Sequence, residues 1–379
     1  MPIRDLLIVG AGPSGLATAI AAKQQGLDYA IVEQGVLVDA IFNFPTNMVF
    51  FTTPELLEIG GLPLVTPYDK PTRLEALRYY RRVVDTYGLQ VSFHERVIEI
   101  EREDGVFVVT TEKIASEFGG SAAQDPPYVQ HADAGAASGT PRRPGAAERT
   151  RHIQVRHARA VVLAIGYYDH PNYLGISGED LPHVSHYYTE AHPCYRRRVV
   201  IVGGKNSAAE TALELFRAGA HVTIVHRHAA LGDSIKYWVR PDIDNRIKEG
   251  SIAARFETQV VEIRKDSVVV EPVLGMAAGS LRASGREAPG REEIAADAVF
   301  LLTGYTPDVD LMRRAGIRCK DETLAPDLHP ETFETNVPNL FIAGGATAGR
   351  NTGSIFIENG RFHGERIINV LADRFRRGS

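Results

Sequence analysis

Cysteine is scarce in this chain, which has only two in 379 residues. Cys194 and Cys319 lie far apart, and neither belongs to a CxxC pair. Disulfide scaffolds and zinc ribbons need closely spaced cysteines, so the composition excludes both classes. The thirteen histidines form no HxxxH or HExxH pair, and we predict no metal site.

The chain also lacks an excess of positive charge, because 42 lysines and arginines face 47 aspartates and glutamates. A basic surface that attracts nucleic acid or anionic lipid is therefore not expected. No apolar run reaches the roughly 18 residues that span a bilayer, and the N-terminus shows no signal-peptide pattern. We expect a cytoplasmic protein without nucleic-acid or membrane partners. Its length, at roughly 150 residues per domain, suggests two or three domains.

A glycine-rich turn follows the first apolar strand, at residues 6–9. The turn reads Gly10-Ala11-Gly12-Pro13-Ser14-Gly15 and leads into an alanine-rich helix, a second strand at 29–32 and then Glu33. This order is typical of a dinucleotide-binding βαβ unit. Gly10 permits the tight turn, Gly12 lets a diphosphate approach the backbone, and Gly15 lets the helix pack on the strand. The helix N-terminus then faces the phosphates, and Glu33 stands where a carboxylate accepts hydrogen bonds from a ribose.

A second unit of the same kind begins with the strand at 199–202. It continues through Gly203-Gly204-Lys205-Asn206-Ser207-Ala208, a helix and the strand at 221–225. Lys205 replaces the second glycine of the pattern, which weakens this match taken alone. The chain after the second strand is basic, however, and Arg227 can pair with a 2′-phosphate. We therefore predict NADPH here and another dinucleotide at the first unit; the alternative is that Arg227 is a solvated loop charge.

Three further strands predict a nested domain order. Residues 160–167 and 298–305 both read as buried strands ending in Gly-Tyr, and residues 335–345 read as a strand entering a glycine turn. We predict an α/β fold of two Rossmann-like dinucleotide-binding domains, the second inserted in the first. Residues 1–168 and 305–379 would form the first domain and residues 169–304 the second. Low apolar content predicts a disordered hairpin insertion at 114–150, and residues 274–292 look like a shorter one.

Seven blocks carry a resemblance to a known family. They are 41–46 (IFNFPT), 50–52 (FFT), 166–168 (GYY), 186–193 (HYYTEAHP), 203–208 (GGKNSA), 234–236 (SIK) and 355–364 (IFIENGRFHG). With them the sequence resembles the bacillithiol-disulfide reductases, within the two-dinucleotide-domain flavoproteins that include thioredoxin reductase. The resemblance covers the chain except the two insertions. It implies a homo-oligomeric, cytoplasmic enzyme that passes electrons from NADPH through FAD to a low-molecular-weight thiol disulfide.

The resemblance also implies where the two cofactors bind. FAD is expected at Gly10, Gly12, Pro13, Ser14, Gly15, Glu33, Gln34, Val97, Gly166, Gly344, Gly345 and Ile355. NADPH is expected at Gly203, Lys205, Asn206, Ser207, Arg227, Lys236 and Gly304. For Lys236 two interpretations stay open, assistance to Arg227 at the phosphate or simple solvation.

The chain departs from the family pattern at three points. It has no CxxC dithiol, so electron relay through an internal disulfide of that kind is excluded. Ser14 stands where family members have a cysteine, and a hydroxyl cannot form a mixed disulfide. Gly345 stands where related flavoproteins often have an aspartate that binds FAD. The catalytic residue therefore stays unassigned, with Ser14 at the position of interest and both cysteines interpreted as structural.

Two other function classes remain open. Residues 178–183 and 186–188 are similar to the linker that precedes the NADPH loop of flavin-dependent monooxygenases, which makes such an enzyme the main alternative. A nucleotide-sensing binding protein without catalytic turnover is the third class. Rapid bleaching of bound FAD by NADPH would argue against it.

Overall fold

The computed structural model describes residues 2–114, 152–273 and 290–377. The predicted insertions at 114–150 and 274–292 fall on the two internal gaps. Apart from Ile114 and residues 290–292, they lie outside the described residues.

The first unit is built on a seven-stranded sheet with the order β3-β2-β1-β6-β5-β4, in which β15 also pairs with β6. Its strands are β1 (Ile3–Val9), β2 (Tyr29–Val32), β3 (Val91–Ser92), β4 (Glu95–Glu103), β5 (Val106–Lys113), β6 (His152–Leu163) and β15 (Leu340–Ile342). Its helices are α1 (Pro13–Gln24), α2 (Asp39–Phe42), α3 (Arg73–Tyr87), α6 (Val309–Arg314), α7 (Ile357–Gly360) and α8 (His363–Arg377). Short 3-10 helices cover Pro54–Leu56 and Gly344–Ala348.

Strand β1 is buried on both faces, as its uninterrupted apolar run predicts. Leu6 and Ile8 pack with α1 in one core, whereas Leu7 and Val9 pack with Phe107 in another. The strand is parallel to β2 and to β6, and β6 is parallel to β15. The carboxyl ends of all four strands therefore meet at one edge of the sheet, where ligands bind in folds of this class.

The second unit contains a five-stranded parallel sheet with the order β10-β9-β8-β14-β7. Its elements are β7 (Val184–Ser185), β8 (Arg198–Val202), α4 (Asn206–Arg217), β9 (His221–Val225), α5 (Arg240–Lys248), β10 (Ala253–Arg255) and β14 (Ala298–Leu301), with a 3-10 helix at His192–Cys194. A three-stranded antiparallel sheet of β11 (Thr258–Ile263), β12 (Ser267–Pro272) and β13 (Glu292–Ala295) packs on it through Val200, Val260 and Val268.

Two segments connect the units and lie side by side. Pro171 forms an isolated bridge with Tyr305, and the backbone N–H of Asn172 donates to the Gly304 carbonyl at 2.9 Å. Residues 160–167 and 298–305 were expected to be strands throughout, but the strands end at Leu163 and Leu301. Each connecting segment then reaches a glycine with positive φ, +61° at Gly166 and +92° at Gly304. A positive φ is not part of an extended strand, so neither strand continues through its glycine. The predicted domain boundaries at 168–169 and 304–305 fall within these connections.

Aromatic rings from both connections and from both units pack together where the connections lie side by side. The Tyr168 ring lies 4.6 Å from the Tyr305 ring, 5.3 Å from Tyr187 and 5.0 Å from Phe44, measured between centroids. Each tyrosine hydroxyl donates to a backbone carbonyl, that of Asn43, Tyr168 or His186. These contacts hold the connections together.

Within residues 2–114, 152–273 and 290–377, no helix combines the length and the apolar character that crossing a bilayer demands. The same ranges contain no group of three or more His, Cys, Asp or Glu side chains arranged for a metal ion.

Candidate functional site

One cavity of about 2340 Å³ opens between the two units. It is lined by both glycine turns and by almost every residue singled out from the sequence. The predicted residues on its wall are Gly10, Gly12, Pro13, Ser14, Glu33, Gln34, Val97, Gly166, Gly344, Gly345 and Ile355 on one side, and Gly203, Lys205, Asn206, Ser207, Arg227, Lys236 and Gly304 on the other. Gly15 is buried behind the wall.

The turn at residues 10–15, here called the first turn, has room for a ligand at one glycine only. A Cβ on Gly10 would lie 2.4 Å from the Ala164 carbonyl oxygen, and one on Gly15 would lie 2.0 Å from the Gly10 carbonyl oxygen. A Cβ on Gly12 would meet nothing within 4 Å. Gly12 is the N-cap of α1 and has no side chain to satisfy the first N–H groups of the helix. The first turn therefore fits the diphosphate of the FAD that the resemblance implies.

Glu33 ends β2 and is almost completely buried, at 6% exposure. Its carboxylate accepts hydrogen bonds from the backbone N–H groups of Ala11, at 2.6 Å, and Gly35, at 2.8 Å. Burial raises the pKa of Glu33 to about 7, against the opposite effect of these two hydrogen bonds. The carboxylate oxygens keep free acceptor positions, so Glu33 fits the ribose role that its place after β2 predicts.

Gln34 and Val97 lie on the same side of the cavity. The Gln34 amide donates to a carboxylate oxygen of Asp169 at 2.8 Å, which joins the end of β2 to the connection between the units. Val97, on β4, is buried in the core next to Val32. The sequence contained no pattern that could indicate the Gln34–Asp169 contact.

Gly344 and Gly345, here called the β15 turn, begin the 3-10 helix after β15. Gly344 has a φ of +75°, and a Cβ there would lie 2.5 Å from Ser14 Oγ. Among the described residues Ser14 Oγ has no hydrogen-bond partner, so its hydroxyl is available to a ligand. The expected contact of Ser14 with FAD stays a prediction.

Tyr167 occupies the space in front of Gly345. A Cβ on Gly345 would lie 2.6 Å from the Tyr167 ring, whose hydroxyl donates to the Thr352 carbonyl at 3.3 Å. The glycine at the position of the usual aspartate therefore has a physical cause, because the ring fills the volume that a side chain at 345 would need. The Gly-Tyr pair after β6 was visible in the sequence, but it indicated a connection rather than this contact.

The glycine turn of the second unit has the backbone that its sequence predicts. Gly203 has a φ of +153°, and a Cβ there would lie 2.5 Å from the Leu302 carbonyl oxygen. Lys205 has a φ of −109°, a value open to any residue, so it replaces the pattern's second glycine without strain. Ser207 and Arg227 are exposed at the cavity wall, and the Arg227 guanidinium donates to His228 Nε2 at 3.3 Å.

Asn206 uses its side chain to hold the neighbouring loop. Its amide nitrogen donates to the Ser234 carbonyl, and its oxygen accepts from the Lys236 N–H, both at 2.9 Å. These bonds fix residues 234–236 against the first turn of α4.

Lys236 is not solvated, so that interpretation of the sequence is wrong. Its side chain is 12% exposed, and the ammonium lies 2.6 Å from Glu210 and 3.1 Å from the centre of the Phe51 ring. Burial lowers the pKa of Lys236, with Glu210 acting in the opposite direction. Because Phe51 belongs to the first unit, the contact joins the two cofactor sites. No sequence pattern paired Phe51 and Glu210 with Lys236.

Neither cysteine has the surroundings of a reactive thiol. Cys194 is buried in the core of the second unit, and Cys319 is partly buried. Burial raises the pKa of both thiols, which disfavours the nucleophilic thiolate. Their interpretation as structural residues agrees with these positions.

We expect Glu33 to make FAD binding sensitive to pH. Its pKa is about 7 without ligand, and ribose hydroxyls that donate to the carboxylate favour the ionised form. FAD affinity should therefore fall as the pH drops below about 7, at most tenfold per pH unit. Fluorescence titration of the apoprotein at pH 6 and pH 8 measures this. Glu33→Gln should bind FAD roughly ten- to a hundredfold more weakly and lose the dependence, whereas the exposed Glu55→Gln should keep it. An unchanged pH profile in Glu33→Gln contradicts the assignment.

The Tyr167–Gly345 contact predicts non-additive substitutions. Gly345→Ala should destabilise the protein by about 1–3 kcal/mol, because the new methyl group collides with the ring. In a Tyr167→Ala background the same change should cost much less, with a coupling energy of about 0.5–3 kcal/mol. Urea unfolding of the four proteins measures the coupling. Gly290→Ala, where a Cβ meets nothing within 4 Å, is the control. Additive effects would mean that the ring does not fill this space.

Comparison with known proteins identifies relatives along the whole chain. The family model described as pyridine nucleotide-disulphide oxidoreductase matches residues 7–117 and 149–344. Bacilliredoxin reductase Bdr of Bacillus subtilis (strain 168) is 37% identical over 372 residues, which are 97% of each protein. The structure of bacillithiol disulfide reductase Bdr (YpdA) from Bacillus cereus has a TM-score of 0.83 at 34% identity, covering 98% of this chain and 100% of that one.

A flavin-containing monooxygenase from Stenotrophomonas maltophilia has a TM-score of 0.65 at 18% identity, covering 99% of this chain and 100% of that one. This likeness shows the fold alone, and it gives the monooxygenase alternative no support beyond the fold.

These matches confirm three predictions made from the sequence. The family resemblance to bacillithiol-disulfide reductases is confirmed, as are the fold of two Rossmann-like units and the cofactors FAD and NADPH. The protein is a flavoprotein oxidoreductase. Because the family model matches most of its length, the chain belongs to the pyridine nucleotide-disulphide oxidoreductase family.

Proposed function

We propose that the chain is an NADPH-dependent reductase whose acceptor is a low-molecular-weight thiol disulfide of the bacillithiol disulfide kind. The observation that carries this proposal is the single cavity into which both glycine turns open. Dinucleotides bound at the two turns would share one space, as direct hydride transfer requires. The similar protein from Bacillus cereus is a bacillithiol disulfide reductase, which supports the choice of acceptor.

FAD held at the first turn would supply two-electron redox chemistry, and the overall reaction would convert NADPH, one proton and one disulfide into NADP+ and two thiols. The chain's own residues bind and orient these reactants. The N–H groups of the first turn hold the diphosphate, and Glu33 holds the ribose. Arg227 offers its guanidinium to the 2′-phosphate of NADPH.

In this proposal no thiol of the chain takes part in the transfer. Ser14 stands where the family resemblance implies a cysteine, and its hydroxyl forms no mixed disulfide. The two cysteines are buried or partly buried, with raised pKa values. The disulfide is therefore reduced within the shared cavity, without a covalent intermediate on the protein.

We also infer a cytoplasmic, homo-oligomeric enzyme. The resemblance of the sequence to the bacillithiol-disulfide reductases supports both properties. Light scattering on the eluting peak of a sizing column measures the number of chains.

The acceptor is tested by following NADPH oxidation by the purified holoenzyme. Bacillithiol disulfide should stimulate NADPH oxidation. The double variant Cys194→Ala, Cys319→Ala should keep most of this activity, because neither thiol is activated. Glutathione disulfide, a bacilliredoxin and oxygen alone serve as comparison acceptors. Oxidation that depends on oxygen and ignores every disulfide contradicts the proposal. If the double variant is still reduced by NADPH but no longer reduces the disulfide, a cysteine relay exists.

Arg227 should determine the choice of coenzyme. Charge-assisted hydrogen bonds contribute about 1.5–3 kcal/mol, so Arg227→Ala should weaken NADPH binding roughly ten- to a hundredfold and leave NADH binding unchanged. Titration of both coenzymes against the flavin absorbance measures this. Arg376→Ala, an exposed substitution on α8, is the control. Equal affinity of the parent protein for NADH and NADPH would show that Arg227 is only a solvated charge.

A further inference from the structure

His363 begins α8 and is buried, at 6% exposure. Its Nδ1 accepts a hydrogen bond from the backbone N–H of Gly344 at 3.2 Å. Its ring stacks on Phe333, with centroids 3.9 Å apart and planes within 16°. The imidazole is thus fixed by a ring contact on its face and attached to the β15 turn through its edge.

The hydrogen bond between Gly344 and His363 lies at the end of β15, where pairing with β6 stops. The last ladder contact of β15 with β6 is from the Ala343 N–H to the Leu163 carbonyl, at 2.9 Å. Successive N–H groups of an extended chain point to opposite edges, so the next N–H, that of Gly344, points to the other edge of β15, where the Ile342 N–H donates to the Phe333 carbonyl at 3.1 Å. His363 provides the acceptor that this buried N–H would otherwise lack.

The β15 turn has little freedom to move independently of the FAD-binding side. A Cβ on Gly360 would lie 3.2 Å from Gly344 Cα and 3.2 Å from Ser14 Oγ. A Cβ on Gly364, next to His363, would lie 2.6 Å from the backbone nitrogen of Thr18 in α1. The start of α8, the β15 turn and the N-terminal part of α1, from Ser14 to Thr18, are therefore packed as one block against the cavity.

Accepting at Nδ1 requires a neutral imidazole with its proton on Nε2. Burial, together with the charge of Arg366, lowers the pKa of His363 to about 4. The acceptor is therefore present throughout the neutral pH range.

We propose that His363 is a positioning residue for the flavin: through Gly344 it fixes the β15 turn and Ser14 against FAD, and thereby sets the affinity and the midpoint potential of the bound flavin. This inference rests on FAD binding at the first turn, which belongs to the proposed function, but not on the identity of the acceptor. Its test therefore uses no acceptor.

Two amide variants separate the hydrogen bond from simple packing. His363→Asn places an oxygen near the position of Nδ1 and can still accept from Gly344, whereas the longer side chain of His363→Gln places its oxygen beyond it. His363→Phe keeps the ring on Phe333 but has no acceptor. The His363→Phe and His363→Gln variants should bind FAD about five- to a hundredfold more weakly, since each leaves the buried N–H of Gly344 without a partner. The His363→Asn variant should keep an FAD affinity within a few-fold of that of the parent protein.

Fluorescence titration of the apoprotein measures the affinity, and redox titration against a reference dye measures the midpoint potential. We expect the potential to shift in the Phe and Gln variants and to return towards the parent value in Asn. His329→Phe is a matched control, because Nδ1 of His329 also accepts from backbone N–H groups, at 3.3 Å, but outside the cavity. It should leave both values unchanged.

Equal loss of affinity in the Asn, Gln and Phe variants would overturn the proposal, because it would mean that only the imidazole's packing matters. An unchanged potential in variants that bind FAD more weakly would also overturn it. If His363→Phe does not fold, the comparison of Asn with Gln still decides. A failure of the disulfide assay with these flavin results intact would refute the proposed acceptor and leave the role of His363 standing.

Discussion

The close packing of the first turn on the end of β6 is the constraint on which the rest of the site depends. Gly10 lies so near the Ala164 carbonyl, and Gly15 so near the Gly10 carbonyl, that neither position has space for a Cβ. This contact sets the direction of α1 and hence of the N–H groups that face the cavity. Because β6 also pairs with β15, it brings Ser14 beside Gly344 as well. One backbone approach thus positions both glycine turns of the first unit.

The relation between the two units depends on different forces. Gln34 reaches Asp169, Thr46 donates to the carbonyl of Thr189, and Lys236 lies over the ring of Phe51. Each contact joins the first unit to a connection or to the second unit, and two of them are made by residues on the cavity wall. A cation over an aromatic ring in a site sheltered from water is worth more than the same pair at an exposed surface. The Lys236–Phe51 contact therefore joins wall residues of both units.

Two departures from the family pattern lie close together, because Ser14 approaches Gly344, the neighbour of Gly345. Gly345 lacks the usual carboxylate, and the Tyr167 ring occupies the space in front of it. Ser14 lacks the thiol, and its hydroxyl faces the turn that His363 holds in place. The same fold thus carries a different set of side chains at the flavin side, consistent with the rule that function depends on the site rather than the fold.

Local patterns in the sequence were sufficient for both βαβ units. The glycine spacing, the apolar strands at 6–9 and 199–202 and the acidic or basic residue after each second strand are short-range features, and the strands form at Ile3–Val9 and Arg198–Val202 as expected. The family resemblance added FAD and the disulfide acceptor. Patterns of apolar residues placed the strand ends too late at 160–167 and 298–305, because hydrophobicity does not show where a glycine adopts positive φ.

Tertiary structure alone decided which distant residues complete the site. Tyr167 in front of Gly345, Phe51 under Lys236 and His363 behind Gly344 are each far apart in the chain. No periodicity or motif connects them, since their contacts arise only after the strands have aligned their carboxyl ends and α8 has packed on α1. The sequence by itself determined the two dinucleotide folds, because turns and helices follow local chemistry. The environment of the flavin was decided by packing, because it depends on distances between elements that the linear order does not contain.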